Sequence, residues 1–281
     1  MFESGLYDGR RVLITGGGTG LGRTMGETLA SLGADLVITG RRAEVLEEAA
    51  REMEAAHGTR VRTAAFDVRD AEAVEAALDR IWDEGPPDTL INNAAGNFTA
   101  RFETLSPRAV DAVLGIVMHG TAYMTLGCGK RWLDAGAKAT VMSITVSYAF
   151  TGAPYVVPSA MAKAGVLAMT RSLAAEWGPK GIRFVAVAPG PFPTPGAWDN
   201  LYPKEGLGAL MEKRPPLGRP GRHDEFADLT AYLLSPQAEF IHGEQIVIDG
   251  GNWLKRASSF SELDALSDAD WAEMAGRRSK P

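Results

Sequence analysis

Thr15-Gly16-Gly17-Gly18-Thr19-Gly20-Leu21-Gly22 follows the apolar run Val12-Leu13-Ile14 and leads into a helix-compatible run over 22–32. Strand, glycine turn and helix, in that order, place a diphosphate on a helix N-terminus. There the unpaired backbone N–H groups and the positive dipole end favour an anion. Gly16 permits the tight turn, Gly20 lets the backbone approach the diphosphate, and Gly22 lets helix and strand pack closely. Gly18, Thr19 and Leu21 belong to the same predicted cofactor contact. The spacing is Gly-x-x-x-Gly-x-Gly, not the Gly-x-Gly-x-x-Gly of the commonest dinucleotide fingerprint, and a glycine run alone also reads as a plain structural turn.

Working outward, strand and helix signals alternate. Strands are expected at 12–15, 36–39, 61–65, 90–92, 140–144, 182–188 and 245–248. Helices are expected at 22–32, 43–56, 71–82, 107–133, 159–177 and 224–234. Most of the strand runs are apolar throughout, as parallel strands covered on both faces require. Repeated βαβ units predict an α/β protein with a doubly wound parallel sheet and a ligand at the C-terminal strand ends. No composition shift marks a second domain. From 189 to 223 the pattern breaks, with Pro189, Pro191, Pro193, Pro195, Pro203, Pro215, Pro216 and Pro220. Such a segment reads as a substrate lid or as a plain surface excursion. The domain is drawn over 1–253, followed by a polar tail at 254–281. In the tail Ser267-Asp268-Ala269-Asp270 resembles a capping box.

Composition narrows the function classes. The chain has 281 residues and a net charge of −6, so it lacks a general electrostatic footprint for nucleic acid. One cysteine, Cys128, excludes an intramolecular disulfide and fits a reducing compartment. The N-terminus reads as no secretory signal, no apolar run is read as approaching membrane-spanning length, and Ser279-Lys280-Pro281 is not the peroxisomal Ser-Lys-Leu address. A cytoplasmic protein without membrane insertion is expected.

After the second strand stands Thr39-Gly40-Arg41-Arg42, with no acidic residue to take a ribose 2′-hydroxyl. Arg41 offers a planar cation suited to a 2′-phosphate, which predicts NADPH over NADH; a solvated arginine at a helix start is the other reading. Asp67-Val68 closes the third strand near the expected adenine. Asn92-Asn93-Ala94-Ala95-Gly96 closes the fourth, where Asn93, Ala94 and small neighbours let a cofactor lie flat.

The glycine turn, the Asn-Asn-Ala-Ala-Gly segment and Pro189-Gly190-Pro191 together resemble the short-chain dehydrogenase/reductase family over roughly residues 8 to 253. The resemblance implies a Rossmann-type fold and cofactor contacts at Pro189, Gly190, Pro191 and Phe192. Most members carry Tyr-x-x-x-Lys, the tyrosine exchanging a proton with a carbonyl or alcohol oxygen and the lysine holding the nicotinamide ribose. Here Lys163 is present, but Ser159 stands four residues before it. The readings left open are an inactive nucleotide-binding protein, a reductase of a 3-oxoacyl or other carbonyl using a tyrosine from elsewhere, or a different reaction.

Several segments are similar to the NADPH-dependent 2,4-dienoyl-CoA reductases of that family: Ser143-Ile144-Thr145-Val146-Ser147-Tyr148, Val156 through Gly165, Asn97-Phe98, Gly120-Thr121-Ala122 and Leu173 through Gly178. That branch also lacks Tyr-x-x-x-Lys. The resemblance implies Tyr148 and Asn97 as donors to a dienolate oxygen, Lys163 on the nicotinamide ribose and Ser159 as a polar neighbour. It further implies Arg69, Asn97, Phe98 and Ser106 as substrate contacts, an acyl-CoA thioester as substrate, a role in unsaturated fatty acid breakdown and a homotetramer. Tyr155 is the rival acid, with an aromatic pocket wall as its other reading; Asn97 also reads as a turn residue and Phe98 as a core aromatic. Where relatives carry a lid arginine this chain has Asn200, with Lys204, Arg214 or Arg219 available to compensate. The histidines suggest no metal site: His57 ends and caps a helix, His223 precedes one, His242 lies in a turn, and His119 sits within the long helix. Cys128 reads as buried packing.

Overall fold

The computed structural model describes residues 2–194, 197–202 and 204–278. Pro195 and Pro203 of the expected lid, and Ser279-Lys280-Pro281, lie outside the described residues. The chain begins β1 (Arg11–Thr15), α1 (Gly20–Ser31), β2 (Asp35–Gly40), α2 (Ala43–His57), β3 (Val61–Ala65), α3 (Ala71–Asp83) and β4 (Thr89–Asn92). It continues through α4 (Pro107–Leu114), a π turn (Gly115–His119), α5 (Gly120–Asp134), β5 (Ala139–Ile144), α6 (Val157–Trp177) and β6 (Ile182–Pro189). It ends with α7 (Ala197–Leu201), α8 (Leu207–Glu212), α9 (His223–Leu234), β7 (Gln245–Ile248), α10 (Asn252–Ala257) and α11 (Asp268–Arg278).

All seven strands are parallel, in the order β3-β2-β1-β4-β5-β6-β7. The chain winds outward from β1 to β3, then returns to place β4 on the other side of β1. That reversal opens a crevice at the carboxyl ends of β1 and β4. Alternation along each strand explains two apolar layers. Val12 and Ile14 join Met25, Leu29 and Phe226 on one face, while Leu13 joins Leu78, Met124 and Trp132 on the other. Both faces are covered, so the strands carry the continuous apolar runs of a buried parallel sheet.

Local chemistry sets the helix ends. Asp70 caps α3 by accepting from the N–H groups of Glu72 (3.0 Å) and Ala73 (3.1 Å). Gly58, at φ 70°, closes α2 after its last residue His57, so the capping expected of His57 belongs to glycine, which takes this conformation without a Cβ clash. In the tail Ser267 Oγ accepts from Asp270 N–H and Asp270 Oδ2 accepts from Ser267 N–H, the expected reciprocal cap.

Four features differ from the sequence reading. The helix expected over 107–133 contains a π turn, which inserts one residue of slack and puts Ile116 and Val117 on the crevice. Pro107–Asp134, taken as one 28-residue run, is long enough to cross a membrane, and an 18-residue window within it is apolar enough, with mean hydropathy 1.3. No run of that kind was expected from the sequence. In the fold it lies alongside α3 and α6 and buries Met124, Cys128 and Trp132. The lid region is not wholly irregular, since it holds α7 and α8. Finally α10 runs across residue 253, where the tail was expected to begin.

Candidate active site

A cleft of about 540 Å³ opens at the carboxyl ends of the strands. Gly16 (φ 67°) and Gly20 (φ 55°) carry the turn after β1 in the left-handed region. A Cβ at Gly22 would stand 2.2 Å from the Gly16 carbonyl oxygen and 2.5 Å from Asn93 Nδ2, so no other residue fits there. The N-cap Thr19 makes no side-chain cap bond, which leaves the first-turn N–H groups of α1 available to an anion. The end of β4 is stitched to this turn. Thr15 Oγ1 accepts from the N–H groups of Asn93 (2.9 Å) and Ala94 (3.0 Å), and Asn93 Nδ2 donates to the Thr15 and Gly16 carbonyls.

Gly16, Gly18, Thr19, Gly20, Leu21, Gly22, Arg41, Asp67, Val68, Asn93, Ala94 and Pro189 all line the cleft. The buried Thr39 Oγ1, also on its wall, has no hydrogen-bond partner among the described residues. Asp67 is held by Arg69, whose guanidinium lies 2.6 Å from Asp67 Oδ2; these bonds, with the field of Arg41, keep the carboxyl below its ordinary range. Other expected contacts stand elsewhere. Gly190 backs onto Asp249, Pro191 accepts from Gly221 N–H, and the Phe192 ring packs on Phe226 in the core, 5.5 Å between centroids.

Tyr148, Ser159, Lys163 and Asn97 meet on the other side of the cleft. Tyr148 follows β5, and its hydroxyl lies 3.2 Å from Ser159 Oγ on α6. Burial raises the Tyr148 phenol pKa, against the Ser159 bond and the charge of Arg256, which lower it. Lys163, one turn beyond Ser159, donates to the Ile144 carbonyl and is buried; that burial lowers its pKa to about 8. Asn97 Oδ1 accepts from Phe98 N–H at 2.9 Å, which commits the amide oxygen to the loop and leaves the NH₂ as the free donor. The turn role and the cleft position of Asn97 therefore coexist.

Arg69, Phe98 and Ser106 do not line the cleft. Arg69 is engaged by Asp67, Phe98 packs beside Val113, Val117 and Ala162, and Ser106 caps α4 by accepting from Ala109 N–H. Tyr155, at φ 66°, is 61% exposed and does not line the cleft; its carbonyl accepts from Ala100 N–H. Ile116, Val117, Thr194 and Leu201 join the wall without having been anticipated; only the close pair Gly115 and Gly120 hinted at the first two. Cys128 is fully buried. His223 opens α9 and bonds the Pro193 carbonyl, while His242 bonds Phe184 N–H and the Ala174 carbonyl. Among the described residues no three His, Cys, Asp or Glu side chains converge.

Comparison with known proteins follows this geometry. A family model described as enoyl-(acyl carrier protein) reductase matches residues 16–252. A Caenorhabditis elegans protein named "Probable 2,4-dienoyl-CoA reductase 3", (3E)-enoyl-CoA-producing, is 43% identical over 256 residues, 89% of this chain and 82% of that protein. A Bacillus subtilis protein named "Probable 2,4-dienoyl-CoA reductase", (2E)-enoyl-CoA-producing, is 41% identical over 247 residues, 87% of this chain and 97% of that one. The crystal structure of a short chain dehydrogenase from Bacillus anthracis is 40% identical, with a TM-score of 0.78 over 86% of this chain and 96% of that one.

Proposed function

The chain belongs to the short-chain dehydrogenase/reductase family, and we propose that within it the enzyme uses NADPH to reduce a conjugated 2,4-dienoyl-CoA. The family implies a nicotinamide cofactor, and the residues present fit one. The glycine turn packs too tightly to admit a Cβ at Gly22, the first-turn N–H groups of α1 beside it carry no side-chain cap, and the buried Thr39 hydroxyl on the cleft wall has no partner among the described residues. Arg41 at the end of β2, with no acidic residue beside it, favours the 2′-phosphate of NADPH.

The observation that carries the substrate reading is the pairing of Tyr148 with Ser159. The serine occupies the position four before Lys163, and the acid hydroxyl comes instead from the segment after β5. When bound, the reduced nicotinamide supplies the hydride. Tyr148 hydroxyl and Asn97 NH₂ donate to the thioester oxygen, on which charge gathers as the distal alkene carbon is reduced. Ser159 orients the phenol, and Lys163 holds the cofactor ribose. Protonation of the dienolate at Cα gives a trans-3-enoyl thioester and at Cγ a trans-2-enoyl one. The first is the product assigned here, and NMR of the product distinguishes them. A homotetramer, implied by the resemblance, belongs to the same reading, and light scattering tests it.

The deciding experiment is NADPH oxidation with trans-2,trans-4-decadienoyl-CoA. Wild type is expected to turn over, and Tyr148→Phe to lose ~100-fold or more in kcat, as loss of one oxyanion donor does. Equal turnover in both would move the donor elsewhere. No wild-type turnover would sink the substrate assignment.

A further inference from the structure

The segment after β7 is fastened from three sides to segments that flank the active site. Asp249 accepts from Gly251 N–H (2.9 Å) and Trp253 N–H (2.7 Å), which fixes the start of α10. Asp249 itself sits against the end of β6, where a Cβ at Gly190 would come within 2.5 Å of its Cβ. Gly250 and Gly251, at φ 62° and 82°, let the chain turn under the end of the lid. Leu217 N–H donates to the Gly250 carbonyl at 3.3 Å, and Pro216 lies 3.1 Å from where a Gly251 Cβ would be. On the third side the Trp253 ring meets Phe150 edge-on, 4.8 Å between centroids, two residues beyond Tyr148.

Trp253 and Arg256 are three residues apart on α10 and therefore share a face. Through Trp253 that face meets Phe150, on the segment that carries Tyr148. The charge of Arg256 accordingly reaches both phenols there, Tyr148 and, on the lid, Tyr202; the charge of Arg214, just past α8, reaches Tyr202 as well. Three other cations around the cleft and lid are spent on carboxylates. Lys255 pairs with Asp264 at 2.6 Å, Arg219 with Glu225 at 2.7 Å and Arg69 with Asp67 at 2.6 Å. Arg256 and Arg214 have no carboxylate partner among the described residues, in a chain whose net charge is −6.

We propose that Arg256, supported by Arg214, binds the phosphates of the substrate's coenzyme A carrier, so that α10 is a wall of the substrate site and not a tail. The inference rests on the thioester reading above. Guanidinium groups without carboxylate partners, Arg256 on α10 and Arg214 just past α8, suit phosphate because they offer paired donors in a fixed fork. The residues of the 189–223 stretch that line the cleft, Pro189, Thr194, Asn200 and Leu201, bring no charge of their own.

The test is calorimetric titration of free coenzyme A into NADPH-saturated wild type, Arg256→Gln and Lys255→Gln, with thermal melts to establish that each variant is folded. Arg256→Gln is expected to weaken coenzyme A about tenfold, the scale of one charge-assisted bond, and Arg256→Lys to restore part of it. Lys255→Gln removes the same charge one position away and is expected to stay within about twofold. In turnover, the KM of Arg256→Gln for trans-2,trans-4-hexadienoyl-CoA rises about tenfold, while its KM for the pantetheine thioester of the same acid does not move. Equal coenzyme A affinity in wild type and Arg256→Gln, or no binding by wild type, overturns the inference. Equal damage with both thioesters also overturns it, since the arginine then acts on the acyl end. Weakened coenzyme A binding in a protein that reduces no dienoyl thioester upholds the carrier site and removes only the proposed reaction.

Discussion

Lys163 holds its ammonium in the interior, where burial lowers its pKa from 10.5 to about 8. Between those values the unfolded chain keeps a proton that the folded chain has released. Stability therefore rises with pH through that window and is lost as pH falls through about 8. From pH 7.5 to 9.5 the apo protein should gain on the order of 1–2 kcal/mol from this residue. Urea unfolding of wild type and Lys163→Met at both pH values measures it as the change in their difference; a constant difference would show that the ammonium is not desolvated. Lys163, Ser159 and Tyr148 were named in the sequence through the family resemblance, because the segments that carry it, 143–148 and 156–165, are local. Arg69 was not, because its choice of Asp67 depends on a turn geometry that spacing does not encode.

Glycines mark where α5 and α1 approach their neighbours most closely. A Cβ at Gly129, within α5, would stand 2.2 Å from the buried Trp177 ring at the end of α6. Gly129→Ala should cost roughly 1–2 kcal/mol net, the overpacking exceeding the ~1 kcal/mol gain in helix propensity. It should leave NADPH affinity alone. Gly22→Ala, which collides with the Gly16 carbonyl and Asn93, should instead weaken NADPH at least tenfold, about 1.4 kcal/mol. Denaturation and fluorescence titration of the two variants separate these effects, and the same response from both would deny the glycine turn a special role. Strands and long helices could be read from apolar runs. The π turn could not, since one extra residue leaves the local pattern intact. Nor could α7, α8 and α10, whose five or six residues are too few to show a period.

The doubly wound order was readable because apolar strands alternate with long helices, but the cleft belongs to the whole molecule. Its wall takes Gly16 from beyond β1, Arg41 from beyond β2, Asp67 from beyond β3, Asn93 from beyond β4, Tyr148 from beyond β5 and Pro189 from β6. Half of the sheet cannot build it, so the cofactor binds the native state alone. Such a ligand at a hundredfold over its Kd stabilises by about 2.7 kcal/mol. In a chain of this length that raises the unfolding midpoint by roughly 5 °C. On the proposed reading Arg41, on the cleft wall, would decide which cofactor does so, because a guanidinium favours the 2′-phosphate that NADPH has and NADH lacks. At equal concentration NADPH should therefore raise the midpoint more than NADH. Arg41→Glu should reverse the order, because a carboxylate repels the phosphate and accepts from the ribose hydroxyl. Scanning fluorimetry of both proteins with both cofactors gives four midpoints. Equal shifts by NADPH and NADH in wild type would remove the preference for NADPH and return Arg41 to the solvent.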